Sequence, residues 1–279
     1  MMEMNIVLGG KGYQVDLESP VSLAIPLDFN GPQPSFFGAP PATATPLKVE
    51  GFVGDTRKGG SCNVAELRLV PHCNGTHTES VGHLVPEAPS IAELLLRTLF
   101  PARLITVTPS AADETPEGYR PAKQTADRLI TRYALDGALH EELASAQSKA
   151  LLVRTLPNDE SKKHRRYGGL PCRPPFFSIE AIDYLTERGI EHLLVDFPSL
   201  DKMYDEGRLT NHHRFWNVPE RHQALTPETH IFKTVTEMIF VPDHIQDGLY
   251  LLDLQIPAFL SDAAPCRPII YPLEPESNN

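Results

Sequence analysis

The sequence predicts one α+β domain over residues 1–279, and three observations predict it. Apolar runs of strand length and segments with helical spacing are interleaved without a regular β-α-β alternation. No internal repeat, low-complexity tract or convincing linker divides the chain. At 279 residues and 41% hydrophobic, it can bury a full core.

Tyr13 to Pro46 holds a short apolar run, Val21 to Leu27, among Pro and Gly punctuation, and reads as an edge strand leading into an extended loop. Gly9-Gly10-Lys11-Gly12 reads as a turn, because the spacing of a phosphate loop is absent. Val64 to Val70 alternates as a strand, with Leu67 and Leu69 on one face and the same parity carried forward to Cys73. Ser90 with Glu93 three residues later forms a capping box before Leu94, Leu95 and Leu96, so a short helix is expected there. Leu104 to Val107 is a buried strand. Gln124 to Lys149 carries Leu129, Ile130, Tyr133, Leu139 and Leu143 at helical spacing, with Gly137 as a break.

Ala150 to Thr155 is an apolar strand ending in a loop, Leu156 to Tyr167, whose Lys162-Lys163-His164-Arg165-Arg166 run reads as a solvated surface. Ser178 caps a helix that runs to Arg188 and stops at Gly189. His192 to Phe197 is a strand running into Pro198-Ser199-Leu200-Asp201, and Leu209 to His222 is polar and histidine-rich. Ile231 to Val241 and Gly248 to Ile256 are two more strands, and Pro257 to Pro275 closes the chain in extended form. The lone histidines His140, His192, His222, His230 and His244 are assigned to surface or core positions.

A net charge of −11 gives no basic field for nucleic acid or an anionic membrane. No run approaches about 18 uninterrupted apolar residues, and Met1 to Asp16 has no signal-peptide pattern, so a cytoplasmic protein is expected. Four cysteines (Cys62, Cys73, Cys172 and Cys266) are too few for a disulfide scaffold, so reduced thiols are expected. Asn74-Gly75-Thr76 matches a glycosylation acceptor, but that modification needs a secretory route.

The densest chemistry lies in His72-Cys73-Asn74-Gly75-Thr76-His77-Thr78-Glu79-Ser80-Val81-Gly82-His83. A metal that activates water needs anionic or imidazole ligands, an open position and a base. Cys73, His77 and Glu79 supply the ligands and His83 the base. The plainer reading is a turn whose histidines cap backbone groups and whose cysteine is a small buried hydrophobe. No Gly-x-Ser-x-Gly elbow supports a serine hydrolase.

These residues resemble the Putative cyclase family, which includes bacterial kynurenine formamidases and isatin hydrolases. The family motif His-x-Gly-Thr-His-x-Asp-x-Pro-x-His matches Cys73 to His83, leaving His72 outside the register. Val15-Asp16-Leu17, Phe36-Phe37-Gly38, Val195 to Asp201, Asn211-His212-His213, Thr236-Glu237 and Ala264 to Arg267 are similar to further family segments in order. The resemblance implies a swivelling β/β/α fold, a homodimer or larger homo-oligomer, and one or two divalent metals. It implies that Cys73 and His77 bind the first metal, that Glu79 bridges to a second, and that His212 and Glu237 complete the site. His213, beside His212, is the alternative ligand. His83 takes the acid/base position, and Phe36 falls where an aromatic meets the substrate.

Three departures stand out: Cys73 for histidine, Glu79 for aspartate and Val81 for proline. A thiolate ligand favours zinc over manganese. The expected function is metal-dependent hydrolysis of an amide, lactam or ester in a small cyclic or aromatic molecule, by metal-activated water with His83 as general base. A non-catalytic binding protein of the same fold is the second reading, and a cyclase or dehydratase using the same site is the third.

Overall fold

Four parallel strands form the middle of an eleven-stranded sheet in the computed structural model, which describes residues 3–139, 148–168 and 173–276. In spatial order they are Leu99–Val107, Ala150–Thr155, His192–Val195 and Thr234–Glu237. Their sequences are apolar almost without a break, as strands covered on both faces require. Every residue from Ala150 to Thr155 is buried.

Alternate side chains feed two cores. Ile105, Val107, Leu151, Val153, Leu193, Val195 and Val235 meet the helices Arg132–Ala138, Ile179–Glu187 and Thr210–Trp216 through Leu135, Ile182, Leu185, Phe215 and Trp216. Ala102, Leu104, Leu152 and Leu194 point the other way, onto Leu23, Ile91, Ile239 and Leu254. Each fully buried Leu or Val contributes roughly 1.5–3 kcal/mol of transfer free energy. The three crossover helices therefore cover one face of the sheet, and mainly irregular chain, with the short helix Ile91–Leu94, covers the other.

Antiparallel strands extend both sides. Beyond Leu99–Val107 lie Gly248–Asp253, Ile269–Pro275, Lys11–Asp16 and Glu3–Leu8, with Val21–Ser22 also paired to Ile269–Pro275. The first two strands of the chain are joined at Gly9 and Gly10, with φ of 56° and 82°. That pair of positive values suits a tight hairpin turn, and two glycines adopt it without strain. Beyond Thr234–Glu237 lie His77–Glu79 and Ala263–Pro265. No described helix is long and apolar enough to cross a membrane.

The α+β class holds, with several elements redrawn. The middle strands do alternate with helices, because the helices Arg132–Ala138, Ile179–Glu187 and Thr210–Trp216 act as crossovers. Only the second shows a full amphipathic pattern; it begins where Ser178 Oγ accepts from Ala181 N at 3.0 Å and ends at Gly189, φ 73°. The expected helix Gln124–Lys149 is instead a strand, Arg128–Ile130, then a seven-residue helix capped by Thr131. Residues 140–147, which include His140, lie outside the described residues, as does Cys172.

Ala65–Arg68 is a strand, but it pairs with Thr43–Pro46 as an exposed ribbon and does not run into the ligand cluster. The capping box is present, with Ser90 N donating to Glu93 Oε2 at 2.9 Å, yet the helix ends at Leu94 because Leu99 already starts a strand. Lys162 is buried rather than solvated: its ammonium lies 2.7 Å from Asp196 and donates to Thr155 O at 2.6 Å.

Candidate metal centre

His77 and Glu79 stand two residues apart on one buried strand, so both side chains project from the same face. Thr78 points to the other face, where its hydroxyl meets that of Thr236 at 2.8 Å. The flanking strands set the rest of the site. Glu237 is the register partner of His77, and Pro265 is its partner on the opposite side. Asp262 immediately precedes that last strand, and its carbonyl accepts from Ser80 N at 3.0 Å.

Thr76 ties these pieces together. Its hydroxyl donates to Met238 O at 2.5 Å and accepts from Ile25 N at 2.9 Å. Met238 has φ 54°, a left-handed value that costs a non-glycine residue roughly 1–3 kcal/mol. The distortion lies directly after Glu237. His212 enters from the helix Thr210–Trp216, where Asp201 Oδ1 accepts from Asn211 N at 2.7 Å.

The result is a centre of four imidazoles (His72, His77, His83, His212) and four carboxylates (Glu79, Asp201, Glu237, Asp262). Glu79 lies at its middle, with Oε1 2.9 Å from His212 Nε2 and Oε2 2.8 Å from His72 Nδ1. Glu237 Oε2 is 3.4 Å from His77 Nε2, and Glu237 Oε1 accepts from Leu200 N at 3.1 Å.

Electrostatics follow from this enclosure. Burial alone would raise the Glu79 carboxyl, but His83 and His212 outweigh it and hold the group well below the usual carboxylate range. Burial likewise opposes charge on His212, yet Glu79, Asp201 and Glu237 hold its imidazole well above the ordinary value. His72 is raised to about 10, because hydrogen bonds to Asp262 and Glu79 exceed the desolvation that opposes them. Positive charge is strongly favoured at this point of the molecule.

The hydrogen bonding shows where that charge is needed. His77 Nδ1 lies 2.9 Å from Gly75 O, which only accepts, so Nδ1 carries the proton. Neutral His77 then presents a bare Nε2, buried and without a hydrogen-bond partner, toward the Glu237 carboxylate. His212 Nδ1 is likewise 2.5 Å from Asp201 Oδ2, which turns Nε2 toward Glu79. The unpartnered His77 lone pair beside a buried carboxylate calls for a positive charge between them, a proton or a metal ion, whereas at His212 a proton on Nε2 already meets Glu79. The donor set fits a divalent metal: atoms of Glu79, His212 and Glu237 lie within 4.8 Å of one another, as do those of His72, His77 and Glu79.

The structure thus brings together His77, Glu79, His83, His212 and Glu237. His213 points away, with Nδ1 3.0 Å from Val218 O. Cys73 lines the cavity, and burial, reinforced by Glu237, pushes its thiol up. Among the described residues it belongs to no set of three mutually close ligand atoms. His72, left outside the family register, contacts Glu79 directly. Asp262, 190 residues away in sequence, contacts His72 and stands 3.6 Å from His83 Nδ1. Asp201 lies in the Val195 to Asp201 segment that resembles the family, but its own spacing gives it no role. Asp262 carried no signal at all, since only strand pairing brings it near.

Above the centre opens a cavity of about 650 Å³, walled by Phe36, Phe37, Pro198, Met203 and Tyr204. Phe36 and Phe37 contact each other with ring centroids 5.7 Å apart, and Phe37 approaches Tyr204 at 6.5 Å. A second cavity of about 470 Å³ is polar, with Arg208, Arg221, His213 and His222 in its lining. His83 and Leu209 line both, so His83 stands at their junction.

A mixed sheet with helices on one face, and a buried imidazole–carboxylate centre beneath an aromatic cavity, defines a class of protein built to hold divalent cations. The family model described as Putative cyclase matches residues 15–202, and this chain belongs to that family. His212, Glu237 and Asp262 lie beyond the matched residues. A kynurenine formamidase of Bacillus cytotoxicus is 27% identical over 232 residues, covering 82% of this chain and 89% of that protein. The kynurenine formamidase of Bacillus anthracis is 26% identical with the same coverage of both chains. Among solved structures, an isatin hydrolase A from Labrenzia aggregata superposes with a TM-score of 0.61 at 16% identity, over 92% of this chain and 94% of that one. A potential metal-dependent hydrolase with cyclase activity gives 0.60 at 14% identity, over 91% and 97%. These two likenesses establish the fold.

Proposed function

We propose that this protein is a metal-dependent hydrolase that cleaves an amide, lactam or ester bond in a small cyclic or aromatic molecule. The observation that carries this reading is the pair of inward-facing imidazole nitrogens, on His77 and His212, set against Glu237 and Glu79 below an aromatic cavity. Family membership supports it, and the kynurenine formamidase relatives favour a C–N bond.

His77 and Glu79 would hold one cation, and Glu79, His212 and Glu237 a second. An ion held there supplies Lewis-acid polarisation of the carbonyl and lowers the pKa of water toward neutrality. The imidazole ligands His77 and His212 suit zinc, the ion proposed over manganese. His83 acts as general base: Asp262 stands beside Nδ1, which leaves Nε2 to take a proton from the attacking water and return it to the leaving nitrogen. Asp201 fixes the His212 ring by accepting from Nδ1. Phe36, in the cavity wall, packs against the ring of the substrate. The enzyme is read as cytoplasmic, a homodimer or larger, with no nucleic-acid or membrane partner.

Elemental analysis of the purified chain, followed by a panel of formamides, lactams and aryl esters with zinc or manganese restored, tests the reading. Bound metal and hydrolysis of at least one substrate class are expected. Absence of metal, with no rescue by either ion, would favour a non-catalytic binding protein. Turnover confined to dehydration of linear precursors would favour the cyclase reading.

A further inference from the structure

Three imidazoles around Glu79 are held in one pattern. His77 sends Nδ1 to Gly75 O at 2.9 Å, and His212 sends Nδ1 to Asp201 Oδ2 at 2.5 Å; each turns Nε2 inward. His72 repeats the arrangement with its nitrogens exchanged. Nε2 meets Asp262 Oδ2 at 2.7 Å, and Nδ1 faces inward at 2.8 Å from Glu79 Oε2. An outer oxygen that fixes one ring nitrogen, while the other faces a shared centre, is how metal-ligating histidines are oriented.

The backbone explains why His72 reaches the centre although the family register falls one residue later. Cys73 N and Asn74 N both donate to Val70 O at 3.0 Å, so Val70 to Asn74 forms a single tight turn. The Asn74 side chain closes it, accepting from Val70 N at 2.7 Å and donating to Pro40 O at 3.1 Å. In such a turn neighbouring side chains differ by about 100°, not by the half-rotation of a strand. A shift of one residue therefore still leaves a side chain directed at the site. His72 takes the inward direction, and Cys73 is left on the cavity wall.

We propose that His72, through Nδ1 and oriented by Asp262, is the third protein ligand of the cation held by His77 and Glu79, and that Cys73 is not a ligand. The assignment rests on the metal-dependent reading above and specifies the ligands of that same site. It replaces a thiolate with an imidazole, so the ion would be held by nitrogen and oxygen donors alone.

Cobalt(II) binding to the metal-stripped full chain tests it, because a thiolate ligand produces an intense near-ultraviolet sulfur-to-cobalt charge-transfer band and imidazole does not. Wild-type protein is expected to bind cobalt with visible ligand-field bands and no sulfur band. Cys73→Ser is expected to leave spectrum and affinity unchanged. Asp262→Asn should weaken binding by about 10–100-fold, as loss of an orienting carboxylate does, and His72→Ala should weaken it further. Circular dichroism confirms that each variant is folded, and His72→Gln replaces His72→Ala if the latter does not fold. A sulfur band in wild type that disappears in Cys73→Ser overturns the assignment while sustaining the metal-dependent reading. Unchanged affinity in folded His72→Ala or His72→Gln also overturns it. No binding of cobalt or zinc by the wild type overturns both.

Discussion

His83 shows how a side chain's neighbours set its task. It lies beside His72, with ring centroids 4.3 Å apart, and at the junction of an aromatic and a polar cavity. Asp262 is held well below the usual carboxylate range, first by its hydrogen bond to His72 and then by that to His83. It therefore stays anionic beside the proposed base. His83→Ala should retain metal by elemental analysis and lose about 10²–10⁴-fold in kcat. Full activity in that variant would remove the base assignment. His192 has a different role, its ring tilted against Phe100 with centroids 4.0 Å apart and bonded to Thr234. Burial pushes its imidazole down to about 4 from 6.5. The unfolded chain takes up a proton below about pH 6.5 that the folded chain refuses, so this stability is present above that pH and lost as pH falls toward about 4. In urea titrations at about pH 7 and about pH 5, His192→Asn should show a smaller loss than wild type, by about 2 kcal/mol. An identical loss in the two proteins would contradict the depressed value.

Among the elements, turns at strand ends decide what the sheet carries. The loop Leu156–Tyr167 contains a short 3-10 helix, Glu160–His164, that delivers Lys162 to the carboxyl ends of two parallel strands. There its ammonium meets Thr155 O and Asp196, while Asp196 also accepts from Thr155 N at 2.8 Å. Lys162→Met should cost about 3 kcal/mol in a denaturation curve, because Asp196 stays buried without its cation. The two Thr155 bonds that remain keep the cost at the low end of that range; a change under about 1 kcal/mol would mean that Asp196 is solvated or protonated in the fold. The turn Val81–His83 is similarly constrained. A Cβ on Gly82 would lie 3.0 Å from Asp262 Cβ, so the absence of a side chain lets Asp262 approach the histidines. That requirement belongs to packing between segments 180 residues apart, and nothing beside Gly82 in the sequence announces it.

For the whole molecule, the centre joins the edges of the fold into one unit. Its residues come from the strand His77–Glu79, the turns on either side of it, the loop after His192–Val195, the helix Thr210–Trp216, the strand Thr234–Glu237 and the segment before Ala263. A cation bound there favours the folded state over the unfolded one by about 2.7 kcal/mol when it is present at about a hundred times its dissociation constant. Chelation should therefore lower Tm by at least about 5 °C, and added zinc should restore it. No shift on chelation of metal-loaded protein would mean that protonated histidines, chiefly His72, neutralise the carboxylates.

Much of the architecture was legible in the chain. Ala150–Thr155 and Ile179–Glu187 were readable because a fully buried strand must be apolar throughout and a one-sided helix must be apolar every third or fourth residue. His77 and Glu79 were readable because a two-residue spacing puts both on one face of a strand. The helix expected over Gln124–Lys149 failed because a buried strand, Arg128–Ile130, and the short helix after it together imitate helical spacing. The α+β class and the pairing of His77 with Glu79 could be read from the chain because they depend on local spacing, and the register of Cys73 to His83 came from its resemblance to the family motif. Tertiary structure alone decided that His72 faces Glu79, that Asp262 stands behind it and that Lys162 is buried. Each depends on the direction of a turn or on pairing across long separations, and one-dimensional spacing carries neither.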